Sequence, residues 1–173
     1  MEKQNAVDDL MRHCKLIGLK RSRLMSRFYR FHRHNRALLD FLLQELVTLR
    51  ENEWPTTSFE MLWHHARWVL TYLSRVPGET FSVCQNLMPH YSRLAIILFP
   101  QQFNGFYRLK RSKADRDFGV RIEPGKNIKG FRRLVWADGT PIENGWRPST
   151  QYVIPTEPVP RRPPVKRDVG HVS

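Results

Sequence analysis

The stretch 57–73 constrains this fold more than any other. Phe59, Leu62, Trp63, Ala66, Leu70 and Leu73 recur at helical spacing and predict one wide apolar stripe. Thr57 and Glu60 fit a capping box, in which a hydroxyl and a carboxylate each satisfy a backbone N–H left over at the helix start. Pro55 stands just upstream, and Pro77 and Gly78 follow the stop. Met61, His65, Trp68 and Tyr72 form a second stripe beside the first. A helix apolar on two sides is expected at the centre of a small domain.

Other helices are expected around it. Residues 5–17 place Val7, Leu10, Met11 and Cys14 on one face, with Gly18 as a stop. Asn35 is placed to cap a helix over 36–50, where Leu39, Leu42, Leu43, Leu46 and Leu49 keep the helical period. The short turn 51–55 should fold that helix back, antiparallel to the central one. Residues 86–99 predict a further helix, entered near Pro89 and closed before Pro100, with His90 and Arg93 facing outward. A brief strand is read at 81–83.

The pattern changes after Phe103. Short alternating stretches at 106–109, 118–122 and 131–136 read as strands, and 110–117 as a charged loop. Asp138-Gly139 is a hairpin signal. Trp146 and 151–154 are candidates to complete the sheet. From Pro155 the chain is rich in proline and arginine and is expected to be extended or disordered. The fold class is therefore mainly α with a small β appendage. The expected division is a helical domain over 1–104, a basic β subdomain over 105–154 and a tail over 155–173.

Charge points to the partner. The formal net charge is +13, which calls for an anionic partner. Between Asp9 and Asp40 there is no acidic residue, while Arg12, Lys15, Lys20, Arg21, Arg23, Arg27, Arg30, Arg33 and Arg36 fill the gap. A solvated face mixes both signs, so 20–36 is the leading candidate for phosphate contact, together with Arg161, Arg162, Lys166 and Arg167 of the tail. Phe28, Tyr29 and Phe31 are interleaved with the run, as core anchors first and base-stacking residues second.

Helices 59–73 and 86–99 also invite a helix-turn-helix reading, with a winged-helix variant that uses the 81–83 strand. Base readout would then fall to Gln85, Asn86, His90 and Arg93, since amides bond adenine and guanidinium bonds guanine. The intervening loop is longer than that motif uses, and a plain helical domain with a polar helix start is the equal alternative.

Enzymatic signatures are weak. His32 with His34, and His64 with His65, suggest a nuclease if Asp40 or Glu60 supplies a carboxylate. No histidine-metal or phosphate-loop motif accompanies them. Cys14 and Cys84 match no zinc spacing and suit a reducing compartment. No leader or membrane-spanning run is read, so the expected setting is the cytoplasm, with no membrane partner.

Residues 28–109 resemble a family of small uncharacterised bacteriophage and prophage proteins. The resemblance is carried by an aromatic-histidine opening (Phe28, Tyr29, Phe31, His32, His34, Asn35), then Leu62, Trp63, Arg67 and Trp68, then Asn86 with Tyr91, Arg93 and Leu94. His64 or His65 stands where that family favours glutamate, and only Asn86 remains of its asparagine pair. The resemblance implies a phage or prophage origin and no activity. The expected function is a non-enzymatic nucleic-acid-binding accessory protein without cofactor or metal, with DNA ahead of RNA as partner. An inhibitor of a host nucleoprotein or defence complex is the alternative, and a histidine- or metal-dependent nuclease is third.

Overall fold

The computed structural model describes residues 2–73, 84–124 and 132–159. The expected 81–83 strand and the tail arginines and lysine at 161–167 lie outside the described residues. Among the described residues seven α-helices precede or flank a two-stranded sheet: α1 Glu2–Leu16, α2 Arg23–His34, α3 Arg36–Glu51, α4 Phe59–Leu73, α5 Met88–Leu98, α6 Pro100–Phe103 and α7 Lys113–Phe118. Strands β1 Val120–Pro124 and β2 Arg132–Trp136 pair antiparallel, with Val120 opposite Trp136 and Ile122 opposite Leu134. No helix among the described residues is long and apolar enough to cross a membrane.

The central helix is α5, not α4. Every residue from His90 to Ile97 is buried, because α4, α6 and α7 pack around α5. Helix α4 buries Phe59, Leu62, Trp63 and Ala66 of its first stripe; Leu70 is half-buried, the Leu73 side chain lies outside the described residues, and Val69, not read into the stripe, is buried with them. The described members of its second stripe face outward: Met61 is 58% exposed, Trp68 63%, and His65 is exposed as well. Buried from His90 to Ile97, α5 has no face to lay in a major groove, so the helix-turn-helix reading falls.

Local chemistry shifts several helix ends. The hydroxyl that caps α4 is that of Ser58, which accepts from Met61 N at 3.3 Å. Thr57 instead forms a parallel bridge with Tyr107, its N–H donating to the Phe106 carbonyl at 3.2 Å. Asn35 does not cap α3 with its side chain; its amide donates back to the Phe31 carbonyl at 2.9 Å and closes α2. The stretch expected as a charged loop contains α7. Ser112 and Asp115 form a capping box there, and Gly119 at φ +66 ends the helix in a left-handed turn that leads into β1.

One cluster of buried side chains runs from Ala6 through the helices to Leu134, Trp136, Ile142 and Tyr152, across the expected 104/105 division. Asn104 supports the sheet as a substitute strand: its amide donates to the Leu134 carbonyl at 2.9 Å and accepts from the Leu134 N–H at 2.8 Å. Residues 151–154 form no strand; they run back over the helices, and Tyr152 donates to Asp40 at 2.5 Å.

The start of the presumed tail is held in place as well. Gln44 on α3 donates to the carbonyls of Pro155 at 2.8 Å and Glu157 at 2.7 Å, and accepts from Val159 N–H at 3.4 Å. A tail read as too polar to fold alone is thus docked over 155–159 by backbone bonds to a single amide. Gln44→Ala should lower global stability by only about 1 kcal/mol. It should also sharply raise proteolytic cleavage near Val159. Unchanged cleavage would show that the strap is held by something other than this side chain.

Candidate nucleic-acid interface

Helix α2 divides its residues by side. Ser22 caps it by accepting from Met25 N at 3.0 Å. Met25, Phe28 and His32 face the core at helical spacing. Arg23, Arg27 and Arg30 follow the same period on the opposite side and are exposed, as are Lys20, Arg21, Arg33 and Arg36. Among the described residues none of these seven is in an ion pair with a carboxylate. The first turn of α2 carries no acid, so Arg23 sits at the positive end of the helix dipole, where a cation is mildly unfavourable. Packing does not require that arrangement.

The aromatics of the run are anchors. Phe28 is buried, stacks on His90 at 5.1 Å between centroids and meets Tyr91 edge-on at 5.0 Å. Tyr29 donates to Asp8 and lies under the guanidinium groups of Arg21 at 5.6 Å and Arg33 at 5.8 Å. That contact holds two of the exposed cations close to the helix.

The start of α2 meets the 3-10 turn Gln85–Leu87, the start of α5 and the start of α7 at a cleft of about 640 Å³. Arg23, Arg27, Gln85, Asn86, His90 and Lys113 all line it, and among the described residues no acidic side chain does. The fold thereby joins two groups of expected site residues that are more than fifty positions apart in sequence. Lys113 was not singled out from sequence. The Ser112–Asp115 capping pattern, had it been read, would have placed Lys113 at a helix start.

His90 and Arg93 are corrected. Both were expected to face outward, yet His90 is 0% exposed and Arg93 3%. His90 Nε2 meets Asp117 Oδ2 at 2.8 Å. Arg93 Nε donates to Asp115 at 2.7 Å, Nη1 to Ser92 Oγ at 2.9 Å and Nη2 to the Lys110 carbonyl at 2.5 Å. Both acids come from α7, so these polar groups lie in the core with partners that offset their desolvation. Arg93 is structural; His90, though buried, is among the residues that line the cleft. Gln85 is half-buried and Asn86 exposed.

The remaining histidines do not converge. His32 is buried with Tyr91 OH at 3.4 Å from its Nδ1. His34 Nδ1 bonds the Arg30 carbonyl at 2.8 Å. His64 lies 4.0 Å from Glu60, both exposed, and the exposed His65 lies 3.9 Å from the half-buried Glu45. Among the described residues no group of three His, Cys, Asp or Glu is placed to hold a metal ion. Cys14 is buried, which pushes its thiol up to about 11.

Burial sets an acid response. It pushes His32 down from 6.5 to about 4, and it lowers His90 despite the Asp117 carboxylate. Above pH 6.5 both states of each ring are neutral and nothing is lost. Below 6.5 the unfolded chain takes up protons first, so folding weakens as pH falls. For His32 the slope approaches about 1.4 kcal/mol per pH unit between pH 6.5 and about 4, and His90 adds in the same direction. Urea midpoints measured between about pH 7 and pH 5, above most carboxylate titrations, should fall steadily. His32→Phe should flatten the decline. A flat profile in the parent would mean the rings are hydrated.

No family model, curated protein or solved structure matches this chain.

Proposed function

We propose that this chain is a nucleic-acid-binding accessory protein without catalytic activity of its own. The carrying observation is the row Arg23, Arg27 and Arg30 on α2, exposed and with no carboxylate partner among the described residues. Cations in such a row normally lie beside acids of the same face. Their natural complement is a line of phosphates, and Lys20, Arg21, Arg33 and Arg36 extend the surface on either side. DNA is the preferred partner, and the sequence resemblance favours a phage or prophage origin.

A second reading rests on a different surface. Met61 and Trp68, one helical face apart from the core stripe, are exposed on α4. An apolar face of this kind suits a protein partner, and it favours the inhibitor of a host nucleoprotein or defence complex as the runner-up.

The test is binding of short DNA duplexes and single strands to nuclease-treated protein across a salt series. Each phosphate contact on duplex DNA should add about 0.9 to the slope of log affinity against log salt. Absence of binding at low salt overturns the proposal. A host protein captured at high salt after nuclease treatment, through Met61 and Trp68, would favour the second reading.

A further inference from the structure

The cleft at the start of α2 and α5 has more chemistry than backbone contact needs. Its rim carries Arg23, Arg27 and Lys113. Deeper in are two acceptors. His90, wholly buried, lines the cleft, and its Nε2 is spent on Asp117, which does not line it. A carboxylate only accepts, so Nε2 carries the ring proton and Nδ1 is left as a lone pair. That Nδ1 has no partner among the described residues. Gln85 Oε1 is likewise buried without a partner among them, its amide nitrogen turned to the Met88 sulfur at 3.9 Å. A buried acceptor left empty is costly, and two at one site call for a ligand that brings donors.

The ligand must therefore combine an anion for the rim with hydrogen-bond donors for the interior. Inorganic phosphate has only one or two hydroxyl donors, and they sit on the very group that the rim cations hold. A nucleotide has both parts: phosphate on one side, and base amino and imino groups or sugar hydroxyls on the other. Leu24 and Met88 supply apolar wall for the face of a base. In a duplex the donor edges are already paired. We propose that the cleft seats one unpaired nucleotide, with its phosphate on Arg23, Arg27 and Lys113 and its donor groups on Gln85 and His90. This rests on the nucleic-acid reading and makes it selective for single strands. The same nucleoside phosphate could arrive as part of a strand or as a free nucleotide.

The experiment uses the full chain and four probes: a labelled guanine-containing single strand, a blunt duplex of equal length, guanosine monophosphate, and inorganic phosphate. Gln85→Leu removes the acceptor at similar volume, and Lys113→Ala removes a rim charge from an exposed position. Arg30→Ala lies outside the cleft and serves as the control. The parent should prefer the single strand over the duplex by about tenfold, and each cleft variant should lose about fivefold on the single strand. Duplex affinity should change less than about twofold in Gln85→Leu, and Arg30→Ala should weaken both nucleic acids alike. Guanosine monophosphate should compete where inorganic phosphate at equal concentration does not. If strands bind but Gln85→Leu has no effect, or acts equally on both, the cleft proposal is overturned and the broader function stands. If only the free nucleotide binds, and needs Gln85, the cleft stands as a nucleotide site and the nucleic-acid function fails. If none of the probes binds, both fail.

Discussion

Trp63→Ala should lower the melting temperature by roughly 10 °C or more. Trp63 is 0% exposed on the inner face of α4 and packs on Tyr91 of α5 at 5.4 Å between ring centroids. Truncating a buried tryptophan costs about 3–5 kcal/mol, the lost transfer energy plus a cavity that a close-packed core only partly closes. In a chain of this size each kcal/mol moves the midpoint by about 2–4 °C. A second variant sharpens the test. Trp63 Nε1 is buried with no acceptor among the described residues. An orphaned donor of that kind costs about 1–3 kcal/mol, which offsets part of the benefit of burying the ring. Trp63→Phe keeps most of the apolar surface and removes that donor, so its loss should be much smaller than that of alanine. Calorimetric or circular-dichroism melting of the three proteins decides the matter. An alanine variant that melts with the parent would mean that the α4 stripe does not seal the core.

The triple change Arg23→Ala, Arg27→Ala and Arg30→Ala should cut low-salt DNA affinity by about a hundredfold and reduce the salt slope by about 2.7. The two effects have one origin: three cations no longer displace three condensed counterions. Stability should hardly move, because substitutions at exposed positions without specific partners usually stay within about 0.5 kcal/mol each. Removing Arg23 from the first turn of α2 relieves its repulsion with the helix dipole, so that site alone should be neutral or slightly stabilising. A variant with the parent's affinity and slope would place the interface elsewhere. A variant that unfolds would make α2 structural on both of its sides.

Sequence alone determined the elements whose causes are local. Apolar residues at the helical period located α3, α4 and α5 to within a few positions, and proline marked where α5 begins and ends. The acid-free run around α2 announced its exposed arginines, since a helix with so many cations can bury only the narrow stripe of Met25, Phe28 and His32. Tertiary structure decided what depends on distant partners. His90 and Arg93 look like surface residues until α7 brings Asp117 and Asp115 against them, 27 and 22 positions away. Polar side chains enter a core only where such partners wait, and no local period encodes that. The strap at 155–159 depends on Gln44, whose bonds to it cross 111 to 115 positions. Likewise the cleft exists because three helix starts meet, which joins Arg23 and Arg27 to Gln85, Asn86 and Lys113. Composition identified the charges; the packing of α2, α5 and α7 decided which of them share a site, because side-chain proximity across elements is set by how helices dock rather than by the residues within any one of them.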